Sequence, residues 1–180
     1  YIHADQHDLV FGPDKKTLFC GNDGGIDVTT NKGVNWSSLS KGLNITQYYR
    51  IGVSQTKNNL VIAGAQDNGT SIMKSDLSWS KVNGADGMEC IIDYTNPDRM
   101  YSSIYNGSLY RSINGGANFS NILNASATKE SGAWVTPFVL NPVNPRSIYA
   151  GYINIWKSDN YGGAGSWKKI SGLNPSSTIQ

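Results

Sequence analysis

Carboxylates in this sequence gather at glycine-containing turns. Asp23 stands in GNDGGI (21–26), Asp67 in AQDNGT (65–70) and Asp86 in GADG (84–87). Hydrolysis of a glycosidic bond needs two carboxyl groups held about 5–9.5 Å apart, one of them protonated. Asp23, Asp67 and Asp86 are therefore the candidate catalytic residues, with Glu130 as an outlying fourth. The same residues have a structural use, because an Asp beside a Gly can cap its own turn by accepting backbone N–H groups. Both uses stay open for each acid.

His3, Asp5 and His7 alternate in HADQH (3–7), so an extended segment would set them on one side. Two imidazoles and a carboxylate could ligate a transition metal. They could equally form a hydrogen-bonded or ligand-binding cluster, and that is the reading adopted, with no metal and no cofactor assigned. Calcium on the Asp turns is the remaining alternative, although no D-x-D-x-D-G loop occurs. Gln47 and Tyr48, in ITQYYR (45–50), and Gln66 complete the ligand-binding candidates. Tyr48, Tyr49 and Trp134 carry faces that could stack on sugar rings or pack into a core. No G-x-S-x-G, Walker loop, thiol–imidazole pair or nucleotide fingerprint is present.

Holding such turns in place calls for short strands. The chain has 180 residues with ten Tyr, five Trp, four Phe and twenty Gly, and only 16% of it is charged. That mixture suits strands joined by tight turns. Four segments repeat one order of features, closing on an aromatic at Trp36, Trp79, Phe119 and Trp167, spaced 43, 40 and 48 residues apart. Each holds four strand-length runs and no helical stripe. Four antiparallel strands per repeat of this length describe a β-propeller blade. The expected fold is all-β: one propeller segment over 1–180, with four four-stranded blades near 7–40, 48–84, 88–123 and 134–172, each with strands A (innermost) to D. A blade must bury its faces against neighbours. The segment is thus expected to meet further blades of a longer parent chain or to self-dimerise, and the start at Tyr1 reads as a cut.

Between strands C and D, TTNKGVNW (29–36) and SINGGANF (112–119) follow the pattern S-x-D-x-G-x-T-W, with Asn31 and Asn114 in place of the acid. Ser158-Asp159-Asn160-Tyr161-Gly162 begins the same way, with two extra residues before Trp167, and the second repeat has lost the motif in KSDLSW. The motif serves a hairpin corner: the Asp or Asn accepts N–H bonds, Gly supplies a positive φ, and the aromatic fills the gap between blades. Asn31, Gly33, Trp36, Asn114, Gly116, Phe119, Ser158 and Trp167 are accordingly assigned structural roles. The whole chain resembles the Asp-box (BNR-repeat), sortilin-like propellers, and among them secreted bacterial proteins labelled glycosyl hydrolases, which contain stretches like HADQHDLVF, GNDGGI and AQDNGT. The resemblance implies the fold more specifically than an activity, since such propellers include hydrolases, receptors and assembly factors.

In an up-and-down blade the B–C turns and D-to-A crossings emerge at one end and the C–D turns at the other. HADQH, GNDGGI, ITQYYR, AQDNGT and GADG all fall at the first end, so their polar residues are expected to converge there. The expected function is an extracellular or cell-surface segment that binds a glycan or protein through this face. A glycoside hydrolase fragment and a purely structural repeat are the rivals. The net charge of +2 forms no basic patch, which argues against nucleic acid, and no apolar run approaches the length of a membrane span. Cys20 and Cys90, seventy residues apart, read as two separate buried thiols rather than a bridge. Six N-x-S/T sequons occur, at Asn35, Asn44, Asn68, Asn106, Asn118 and Asn124.

Overall fold

The computed structural model describes residues 2–43, 46–172 and 178–179. Of the residues singled out above, Tyr1, Asn44 and Ile45 lie outside them. Among the described residues, sixteen strands form four sheets, each antiparallel and each in simple sequence order. The first blade comprises β1 (Gln6–Phe11), β2 (Leu18–Asn22), β3 (Gly25–Thr29) and β4 (Ser37–Ser38); the second β5 (Arg50–Val53), β6 (Val61–Ala65), β7 (Gly69–Met73) and β8 (Trp79–Asn83). The third comprises β9 (Gly87–Ile92), β10 (Met100–Ile104), β11 (Ser108–Ser112) and β12 (Ser120–Leu123); the fourth β13 (Phe138–Leu140), β14 (Ile148–Gly151), β15 (Ile155–Ser158) and β16 (Trp167–Lys169). Tyr1–Gln47 form one compact unit and Tyr48–Gln180 a second. No helix among the described residues is long and apolar enough to cross a membrane.

Among the described residues, two short helical turns interrupt the pattern of strands. A 3-10 turn, Tyr105–Gly107, joins β10 to β11, with Asn106 in the left-handed region. The helix α1, Ala125–Thr128, opens the crossing into the fourth blade. It is short enough to show no periodicity, but its start is conventional: the Asn124 side chain accepts the Ala127 N–H.

Within the second unit, successive blades are joined by apolar cores. Leu60, Ile62 and Ile72 of the second blade pack with Cys90, Ile92 and Met100 of the third. Tyr101, Leu109 and Leu123 of the third pack with Phe138, Ile148, Ala150 and Tyr152 of the fourth. Burying one such side chain is worth about 1.5–3 kcal/mol, against about 0.5–1.5 kcal/mol net for a typical hydrogen bond. Blade stacking therefore dominates stability here, and the turns fix geometry. Cys20 and Cys90 are both buried and free.

The C–D turns show why hydroxyl and amide side chains recur there. In the third blade the Ser112 hydroxyl accepts the N–H groups of Asn114 (3.3 Å) and Gly116 (2.9 Å), while Asn114 Oδ1 accepts that of Asn118 (3.0 Å). In the first, Thr29 and Asn31 make the same set, to Asn31, Gly33 and Asn35. In the fourth, Ser158 accepts from Asn160 and Gly162. The two inserted residues bring Ser166 within 2.6 Å of the Ser158 hydroxyl, where Asn114 and Asn31 stand in the other blades. Phe119 packs on the core between the second and third blades, and Trp167 on that between the third and fourth. The second blade, without the motif, closes β7 to β8 with a tighter turn in which Asp76 accepts from Ser78.

Candidate functional site

In the first unit, the β2–β3 turn carries Asp23. Its cap is Asn22, not Asp23: the Asn22 side chain accepts the Gly24 N–H at 2.9 Å and donates to the buried Asp27 carboxylate at 2.7 Å. Asp23 is left to hydrogen-bond the exposed His7 side chain, and its own N–H is bound by the Asp5 carbonyl. The simple alternation expected for His3, Asp5 and His7 does not run through a strand. β1 begins at Gln6, and its register with β2 shifts between Gln6 and Asp8, so His7 sits at an irregularity. His3 precedes the strand and lies beside Gly24. Gln47 is exposed at the close of this unit.

The second unit gathers its candidates along the end where B–C turns and crossings emerge. Asp67 stands in the middle of the β6–β7 turn with φ 61°, in the left-handed region that Asp tolerates better than most residues. Its N–H is accepted by Asp86 Oδ1 at 2.7 Å, from the crossing between the second and third blades. One bond thus brings together two of the three catalytic candidates, and Asp86 caps a turn other than its own. Gln66 Oε1, on the same turn, accepts the Tyr49 hydroxyl at 2.6 Å. A longer contact of 3.5 Å links Trp134 Nε1 to that hydroxyl. Trp134 lies in the long crossing to the fourth blade and stacks on Tyr105, with ring centroids 5.3 Å apart and planes 12° apart. Tyr49, Tyr105 and Trp134 are 36%, 38% and 45% exposed. Tyr48 is occupied differently, stacked on Trp79 of its own blade at 5.6 Å.

Glu130 belongs to the fold of this edge. Its two oxygens hold Asn154 in the β14–β15 turn, and Oε2 also receives the Trp156 indole N–H at 3.3 Å. Burial acts to raise its pKa, but the bonds from Asn154 and Trp156 and the nearby Lys169 ammonium outweigh it, leaving the carboxyl below its ordinary value. A carboxylate so held is a poor proton donor.

Two features escaped the sequence. Glu89, on β9, lies 3.4 Å from Arg50 Nε; burial pushes its carboxyl above the ordinary range while Arg50 acts against that shift. Only its place among the apolar residues GMECII marks it. Serines after the D strands also hold the B–C turns. Ser40 accepts the Ile26 N–H and donates to the Gly24 carbonyl; Ser171 accepts the Ile155 N–H and donates to Asn154 Oδ1. A readable signal existed, since Gly-Leu-Asn follows both serines closely, at 42–44 and 172–174.

No family model matches this chain, and no curated protein matches it. Solved structures do. It is similar to a Niastella koreensis GH74 enzyme (16% identity, TM-score 0.56, covering 91% of this chain and 31% of that one). It is also similar to an auxiliary nutrient binding protein from Bacteroides thetaiotaomicron (12%, 0.54, 96% and 43%). A third match is the β-propeller domain of Myceliophteria thermophila Cps50 (11%, 0.52, 94% and 57%). The chain spans less than two thirds of each. At these identities the likeness concerns architecture: four consecutive four-stranded antiparallel sheets that make up part of a β-propeller.

Proposed function

We propose that this chain binds a glycan, outside the cell or at its surface, through the edge of the second unit where the B–C turns and crossings emerge. The observation that carries this reading is the linked set of exposed aromatics, Tyr49, Tyr105 and Trp134, joined to Gln66. Large aromatic faces left in water at a loop-built edge offer apolar area to the C–H faces of a pyranose, and the Gln66 amide supplies polar contacts. The C–D turns of the first, third and fourth blades, read as Asp boxes, have a structural role at the other end of those blades. The test is a glycan array followed by calorimetry on the 180-residue chain. Trp134→Ala should weaken the best binder at least tenfold with the fold intact. Retained affinity in that variant, or no bound glycan at all, would overturn the reading.

A second reading is hydrolysis by the Asp67–Asp86 pair, favoured by the single bond that joins their turns. It ranks below binding because one Asp86 oxygen is already an acceptor for the Asp67 N–H. Polysaccharide turnover that disappears in Asp86→Asn would reverse the order.

A further inference from the structure

Three guanidinium groups meet at Tyr161, in the β15–β16 turn. Arg99 lies over the ring, 3.7 Å from its centroid, and Arg146 lies 5.7 Å from the same centroid. Arg111 Nη1 donates to the Tyr161 carbonyl at 2.6 Å. Arg99 is neutralised by the fully buried Asp93, at 2.6 Å. Arg111 and Arg146 make no ion pair with a described residue. The acids on the adjoining turns are otherwise placed. Asp159 is held by Lys157 (2.9 Å) and Ser147 (2.5 Å), and Asp98 lies against Gly115. Tyr161 adopts φ 53°, as Lys32 (58°) and Gly115 (68°) do at the matching position of the other C–D turns.

Like charges brought around one ring repel each other unless an anion sits among them. A guanidinium fork matches a tetrahedral oxyanion through paired N–H donors, and Arg111 retains four donors beyond the one it uses on Tyr161. We propose that Arg111 and Arg146, flanking Tyr161, form a binding site for a phosphate- or sulfate-type oxyanion at the C–D end of the third and fourth blades. This site lies at the opposite end of those blades from the aromatic edge and is independent of the glycan reading.

The test is an NMR titration of the 180-residue chain with inorganic phosphate and with sulfate, against chloride at equal ionic strength. Sulfated and phosphorylated oligosaccharides follow, to distinguish the natural source of the anion. Saturable shifts confined to the β15–β16 turn and its arginines are expected, with affinity at least tenfold lower in Arg146→Gln. Arg146 is exposed, so this variant keeps its fold where Arg111→Gln risks losing it. Shifts no larger than those of chloride, or unchanged affinity in Arg146→Gln, would overturn the proposal.

Discussion

The Glu130 carboxylate binds Asn154 through both of its oxygens: Oε2 accepts the main-chain N–H at 2.9 Å and Oε1 the side-chain amide at 2.8 Å. A residue in the crossing between two blades thereby fixes the next blade's B–C turn. Replacing it with Gln keeps one acceptor but removes the charge, and should cost about 1–3 kcal/mol in urea unfolding. The pH dependence follows from the direction of its shift. A carboxyl depressed in the folded state contributes stability that is complete above its ordinary value and lost as pH falls through the folded one. The gap between wild type and Glu130→Gln should therefore be widest near neutral pH and close on acidification below the ordinary glutamate range. A gap independent of pH would show that the charge is not what matters.

The bond from Asp86 Oδ1 to the Asp67 N–H separates charge from shape in a similar way. Asp86→Ala removes the carboxylate oxygen that accepts this N–H and should destabilise by about 0.5–2 kcal/mol, as losing a cap does. Asp86→Asn retains an oxygen at that place and should fall well below the alanine variant in cost. Equal losses in the two variants, measured by chemical denaturation, would indicate that the bond contributes little.

Thiol chemistry gives a check on the burial of both cysteines. Cys90 is buried against the second blade, and that burial pushes its thiol well above the usual range; Cys20 is buried in the first unit. Because the thiolate is the reactive form, native chain should resist a disulfide exchange reagent, and two thiols per chain should react once urea is added. Rapid labelling of either residue without denaturant would contradict the packing described.

What the sequence showed and what it withheld have different physical origins. The blades were legible because a strand's side chains alternate and its turns need Gly, Asn or Asp, and both leave marks within ten residues. The placement of Phe119 and Trp167 was legible for the same reason, since a hairpin of fixed length sets where its aromatic lands. Polar bonding between distant turns was not. Nothing in GND says that Asn22 takes the capping role and frees Asp23 for His7. Nothing in GADG says that Asp86 reaches back to Asp67. Charged and aromatic side chains such as Glu89, Tyr105 and Arg146 acquire their surroundings only when blades stack.

Gly116 and Gly115 offer the sharpest test of that stacking, because they differ in surroundings and scarcely in backbone. Both are left-handed, at φ 85° and 68°, so either change to Ala carries a similar strain of about 1 kcal/mol. A Cβ at Gly116 would lie 2.1 Å from Ile72 Cδ1 in the preceding blade, inside a filled core. At Gly115 its nearest neighbour would be Asp98 Oδ1 at 3.3 Å, a carboxylate that can move aside. The fourth blade repeats the first arrangement, with Gly162 against Ile122 of the third at 2.7 Å. Gly116→Ala should therefore cost about 1–3 kcal/mol more than Gly115→Ala, the usual expense of overpacking. Pairing Gly116→Ala with Ile72→Val in a double-mutant cycle should recover part of that difference, since the methyl group lost is the one the new Cβ meets. Costs that simply add would mean that this glycine does not register one blade on the next.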